Sequence, residues 1–285
     1  MLLPMTKRFS LLLALLALLV VPLSACASSS GAASPSPTTS SMPTTATSSA
    51  APNYNLISAG SLTVCSDVPY PPFEDFDTSA PSGFKGFDVD IVSQIASDLG
   101  LKLVFKKADF TTLESGLAIK THQCDLIASA MTITASRQKV MAFSDGYYDA
   151  DQSLLVAADS GITTLSQMAG KKLAVQHGTT GQDYAKAHAT GANIVVFNGD
   201  GAMWTALKAG TVDGILQDLP VNINHQQTSN DKFTVVETYK TNEQYGLAMS
   251  LTNTALLDAV NTELAQMKSG GTYQTIYDKY FKIGG

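Results

Sequence analysis

From Leu62 onward, short apolar runs alternate with segments of helical period, and no other feature of the chain constrains its fold as strongly. Runs too short for a helix, separated by amphipathic helices, are the sequence form of βα units around mostly parallel sheets, so the fold class is α/β. Strands are expected at 62–65, 101–105, 124–128, 153–156, 172–176, 194–197, 212–216, 233–237 and 246–249. Between the first two, Phe87, Ile91, Ile95 and Leu99 recur every four residues, with Val92 and Ala96 beside them and Gly100 after them, which predicts a helix. Further helices are expected at about 110–119, 182–188, 202–209, 253–268 and 272–280. Trp204, at helical spacing from Leu207, reads as core.

The chain has 285 residues, of which 45% are hydrophobic, enough for two lobes of ordinary size. Its 18 basic and 24 acidic side chains give a net charge of −6, and it lacks the clustered Lys and Arg that nucleic acid requires, so a nucleic-acid partner is set aside. Three cysteines are too few for a disulfide scaffold, and without a CxxC they do not make a structural zinc site. The histidines at 122, 177, 188 and 225 share no ligand spacing, and nothing in the sequence calls for a metal or cofactor.

Residues 1–25 have the order of an export signal: Lys7-Arg8, an apolar run from Leu11 to Val21, then Leu23-Ser24-Ala25 before Cys26. The apolar run is short for a bilayer span, which needs about 18–20 residues. Leu-Ser-Ala-Cys resembles the bacterial lipobox, in which the cysteine is acylated and becomes the new N-terminus; Cys26 is then a lipid anchor holding the protein on the outer face of the cell membrane. The alternative is a signal cut nearby with Cys26 incidental. Removal of residues 1–25 leaves 16 basic side chains against 24 acidic ones, a charge near −8. From Ala27 to Pro52 every residue but Gly31 and Met42 is Ser, Thr, Ala or Pro, so 26–52 reads as an anchor and flexible tether reaching about 25–30 Å. Such a composition can also carry O-glycans.

Open α/β sheets bind ligands beyond the carboxyl ends of their strands. The loops 66–73, 129–137, 177–181 and 217–220 follow predicted strands, and together they offer a cation, two carboxylates, hydroxyls and glycine-flanked amides. That set suits a small zwitterion.

The motifs YPPFE at 70–74, GFDVDI at 86–91, MTIT followed by Arg137, FSDGYY at 143–148, VQHGTTG at 175–181 and QYG at 244–246 closely resemble the bacterial extracellular solute-binding proteins of the polar amino-acid class. That family includes glutamine-, histidine- and lysine/arginine/ornithine-binding proteins of ABC importers. The resemblance implies a two-lobe periplasmic-binding-protein fold with two crossover hinge strands. It assigns 53–147 and 245–285 to lobe one and 152–240 to lobe two, with hinge segments near 147–151 and 241–245. It further implies a monomer that closes on an amino acid by hinge motion and presents it to a membrane permease.

Under the resemblance, Arg137 holds the ligand α-carboxylate, since a planar guanidinium fork matches a carboxylate. Thr132 and Thr180 add donors from the two lobes, although the turn at Gly178 could simply cap a helix. Asp218 receives the α-ammonium, with Ser129 and the Ala130 carbonyl facing it; Asp218 is equally placed to start a helix before Leu219-Pro220, and both can hold. Tyr70, stiffened by its prolines, and Phe110 would sandwich the ligand side chain, while Phe73 packs inside the lobe. Asp67 would face the ligand side chain, attracting a cation or amide and repelling a carboxylate. Gln176 stands where some glutamine binders carry lysine, and Gln217 is also uncharged, so no cation offsets Asp67. This favours arginine, lysine or ornithine, then glutamine or histidine. Cys65 and Cys124 fall at neighbouring predicted strands, and an exported protein could bridge them unless their places along those strands keep them apart.

Two other functions compete. Cyclohexadienyl dehydratases resemble this fold, but the sequence shows no nucleophile with an adjacent base, which weighs against an enzyme. A sensing module reporting ligand to a receptor partner would need another protein to carry the signal.

Overall fold

The computed structural model describes residues 53–282. The export-signal, lipid-anchor and tether readings fall on residues 1–52, outside the described residues.

In chain order the first elements are β1 (Ser61–Ser66), β2 (Asp75–Phe76), β3 (Phe84–Lys85), α1 (Phe87–Asp98), β4 (Lys102–Lys107), α2 (Phe110–Glu114), α3 (Leu117–Lys120), β5 (Leu126–Ile127) and β6 (Ala142–Phe143). There follow β7 (Tyr148–Ala157), β8 (Lys172–Gln176), α4 (Thr180–His188), β9 (Asn193–Phe197), α5 (Asp200–Lys208), β10 (Gly214–Asp218), α6 (Leu219–Thr228) and β11 (Phe233–Tyr245). The last are β12 (Ala248–Met249), α7 (Thr254–Gly270) and α8 (Thr272–Phe281).

One five-stranded sheet has the order β4-β1-β5-β12-β6, the other β11-β7-β10-β8-β9. In the first, β1 is parallel to β4 and β5, and β12 is antiparallel to β5 and β6; in the second, β8, β9 and β10 run parallel while β7 is antiparallel to β10 and β11. The chain leaves the first sheet after β6 into β7 and returns from β11 into β12. Each sheet anchors one lobe, and β7 and β11, paired with each other, form the crossing between them.

Every predicted strand has a counterpart, with shifted ends: 124–128 is ordered as strand only at 126–127, and 212–216 slides to 214–218. The predicted helix 110–119 is two short helices, because Gly116 sits at φ +72° and breaks the run. Helix α6 was read only at its start, at Asp218 before Leu219-Pro220, and its length was not predicted. Its buried face carries Asn222 and His225 beside Val221, so it lacks an apolar period. Helix α1 buries Phe87, Ile91, Val92 and Ile95 against the first sheet. Phe73 is fully buried and packs edge-on to Phe87, Tyr148 and Tyr245, so the loop after β1 is fixed to the crossing strands by an aromatic cluster. Trp204 is only half-buried; it stacks on His225 at the edge of the second lobe's core. Cys65 and Cys124 are joined in a disulfide, with Cα atoms 5.7 Å apart.

Gly86, at φ +137°, precedes α1 where a Cβ would lie 2.1 Å from the carbonyl oxygen of Phe73. Gly86→Ala should therefore destabilise the protein by about 2–4 kcal/mol, read as a lowered denaturant midpoint.

Candidate functional site

The loops following β1, β5, β8 and β10 meet between the two sheets. With Phe110 of α2 they border a cleft of about 330 Å³, space open to solvent included, lined by Asp67, Tyr70, Phe110, Ser129, Ala130, Thr132, Arg137, Gln176, Thr180 and Asp218, with Thr179 in addition. Of the residues singled out in the sequence, Gln217 alone does not reach it. Successive side chains of a strand point to opposite faces, so Asp218 at the end of β10 faces the cleft and Gln217 faces away. The Gln217 amide is held in the second lobe by Asp200 (2.9 Å) and Asn222 (3.0 Å).

Arg137 lies on a single 3-10 turn (Arg137–Lys139) and is 5% exposed. Its Nη1 donates to the carbonyl of Thr132 (2.8 Å) and its Nη2 to the carbonyl of Gly178 (3.0 Å), one from each lobe. The guanidinium stands 5.2 Å from the centroid of the Phe110 ring, a cation–π contact. Burial pulls its pKa below the ordinary value, opposed by the charges of Glu114, Asp218 and Glu243, and it stays protonated. Among the described residues, no carboxylate lies within ion-pair distance of it.

Asp218 starts α6 but its side chain does not cap that helix. It accepts instead from the Tyr70 hydroxyl (2.8 Å), the Tyr245 hydroxyl and the Gln152 amide. Burial raises its pKa to about 6, helped by the charge of Glu243 and opposed by these hydrogen bonds. Asp67 is likewise raised to about 6 by burial, against the hydrogen bond it accepts from Gln176 Nε2 at 2.6 Å. That neutral amide is the direct partner of Asp67, so the carboxylate expected to stand alone is already engaged across the cleft by an uncharged group.

A second layer holds the first-lobe loop. The Ser129 hydroxyl accepts from the Asp67 amide (3.0 Å) and donates to fully buried Glu74 (2.9 Å). Asp88, also fully buried, accepts from the Ala130 amide (2.8 Å) and from the Tyr147 hydroxyl, fixing Ala130 at φ +42°. Burial pushes Asp88 up to about 7 and, with the charge of Asp88 beside it, Glu74 well above the carboxylate range. The motifs YPPFE and GFDVDI thus carry buried acids beneath the cleft as well as apolar packing.

Residues 62–283 match the family model of bacterial extracellular solute-binding proteins, family 3. The chain belongs to this family. The glutamine-binding protein GlnH of a Bacillus subtilis (strain 168) ABC transporter is 35% identical over 203 residues, covering 70% of this chain and 73% of that protein. An ancestral arginine-binding protein solved with glutamine bound superposes with a TM-score of 0.73 at 34% identity, covering 79% of this chain and 99% of the other. The ancestral amino acid-binding protein AncCDT-1, a precursor of cyclohexadienyl dehydratase, superposes with a TM-score of 0.72 at 33% identity, over 78% and 96% of the two chains. The family fold is the two-lobe architecture described above.

Four residues were missed in the sequence, Thr179 in the lining of this family member's cleft and three that hold the lining residues from behind. Thr179 caps α4, accepting from the Gln182 amide (3.1 Å) while donating to the Gln176 carbonyl (2.8 Å), which shapes the turn that reaches Arg137. Gln152, Tyr245 and Glu243 all lie on the crossing strands, whose polar positions carried no loop signal. Tyr245 alone had a pointer, the QYG motif.

Proposed function

We propose that this chain is the receptor of an amino-acid ABC importer, exported, anchored through Cys26 and tethered by 27–52, closing as a monomer on one polar amino acid. Lobe one would comprise 53–147 and 245–285, and lobe two 152–240. The observation that carries the reading is the pairing of unlike charges across one cleft. Arg137 is a buried cation with no contacting carboxylate among the described residues, and Asp218 is a buried carboxylate held by three neutral donors. A zwitterion's two charged ends match these two groups, and enclosure strengthens each contact over its value in water. Asp67, with only an amide in contact, favours arginine, lysine or ornithine, then glutamine or histidine. The relatives' names include both arginine and glutamine and rank neither above the other.

A thermal-shift panel of the common amino acids and ornithine, each near 1 mM, tests this on the chain from Ala27 onward. A micromolar ligand at that excess adds about 4 kcal/mol, or about 8–16 °C. A shift with basic amino acids supports both the receptor and the role of Asp67. A shift confined to glutamine keeps the receptor and discards the preference for a cation. No shift with any amino acid defeats the reading.

Buried Asp218 near pKa 6 would also suit a general acid, as in a dehydratase. Its three hydrogen-bond donors favour the carboxylate form that receives an ammonium, and we take the protein to be no enzyme. Turnover of prephenate or arogenate would reverse that.

A further inference from the structure

Glu243 does not line the enclosed cleft, yet it touches both lobes. It sits on β11 just after an irregularity: Tyr239 pairs with Gln152 and Glu243 with Ala150, so Lys240, Thr241 and Asn242 all oppose the single residue Asp151. Asn242 adopts φ +53°, and the Thr241 amide donates to Asp151 (3.1 Å), which pins the bulge. A bulge re-aims the residue that follows it. Glu243 Oε2 accepts from the Thr132 hydroxyl of the first lobe (2.8 Å) and from the Thr180 hydroxyl of the second (2.7 Å). The Gln152 amide, shared with Asp218, donates to Oε1 at 3.2 Å.

We propose that Glu243 is a positioning residue that latches the closed cleft, tying a first-lobe and a second-lobe threonine to one carboxylate on the crossing strand. Charge-assisted hydrogen bonds of this length are the strong kind, and both meet on one oxygen only while Thr132 and Thr180, from opposite lobes, reach it together. The contact also sets polarity. A hydroxyl has one proton. With both protons given to Glu243, Thr132 and Thr180 turn lone pairs elsewhere, which leaves N–H groups to receive a ligand carboxylate: Arg137 and the Thr180 amide, which as the first residue of α4 has no partner within the helix. The binding half of this inference rests on the receptor reading; the closure half does not.

The test uses the chain from Ala27 onward, spin-labelled at exposed Lys102 in one lobe and exposed Lys186 in the other, as wild type, Glu243→Ala and Glu243→Gln. Inter-lobe distances are measured without ligand by pulsed electron resonance, and ligand dissociation by stopped flow with whichever amino acid gives the largest thermal shift. The expected result is a short-distance population in the wild type that Glu243→Ala loses and Glu243→Gln, with one acceptor for two hydroxyls, partly keeps. Dissociation should quicken at least tenfold in Glu243→Ala. A wild type with no short-distance population, distances unchanged by Glu243→Ala, or an unchanged dissociation rate overturns the latch. If no amino acid binds, the receptor reading fails and the distance distributions alone decide the latch.

Discussion

Arg137→Ala is expected to abolish amino-acid binding while leaving the protein folded. The guanidinium is buried, stacked on Phe110 and fixed by two carbonyls, so it is already oriented before a carboxylate arrives. Removing one partner of a buried, hydrogen-bonded charge pair costs about 2–5 kcal/mol, or about 30- to 4,000-fold in Kd. Folding should suffer little, because burying a cation with no carboxylate in contact costs desolvation that the variant is spared. Titration calorimetry and a thermal melt on the same sample separate the two effects. Arg137→Lys should rescue only part of the affinity, since an ammonium cannot donate in a fork. Affinity within threefold of wild type in Arg137→Ala would falsify the carboxylate assignment.

The second large effect is expected with pH. Asp218 and Asp67 are raised to about 6, and a ligand ammonium pairs only with their ionised forms. Below pH 6 the ligand must displace a proton from each carboxylate it uses, at about tenfold in apparent Kd per pH unit. A ligand with a neutral side chain engages Asp218 as an ion pair and should lose about 100-fold by pH 4. One with a cationic side chain engages both and should lose about 10,000-fold, a loss that Asp67→Asn should return to about 100-fold. Protonation of these two groups does not unfold the protein in the same range. A carboxyl whose folded pKa is raised above its unfolded value contributes stability that is fully present below the unfolded pKa and lost as pH rises through the folded one. These groups therefore steady the ligand-free fold as pH falls from 7 toward 4, the opposite sense to the loss of binding. Affinity independent of pH between 7 and 4 would remove both aspartates from the ligand contacts.

The strands were legible because their central residues are apolar whichever face they present. Helix α1 was legible because its buried stripe is uninterrupted. The body of α6 was hidden, though its start was not, because Asn222 and His225 are buried through hydrogen bonds, which a hydrophobic pattern does not register. The cleft residues could be read because strand ends are where an α/β sheet presents its loops, and the family motifs fixed which loops mattered. Gln217 went astray by a single step of strand alternation beside Asp218. Glu243 was reached only as part of the expected hinge segment 241–245: its aim depends on a three-residue bulge, marked in the run only by Asn242, a residue type that tolerates the left-handed region.

The order of the first sheet has a consequence for how the chain matures. β12 lies between β5 and β6, so that sheet cannot be completed until the last forty residues have arrived, whereas the second sheet is contiguous in sequence. A chain emerging from its amino terminus would hold β5 and β6 without the strand between them for about a hundred residues, with hydrogen-bonding edges exposed to other chains. Loss of the carboxyl end would leave a complete second lobe beside an unfinished, aggregation-prone first one, so quality control during export would turn on the tail of the chain rather than on its head.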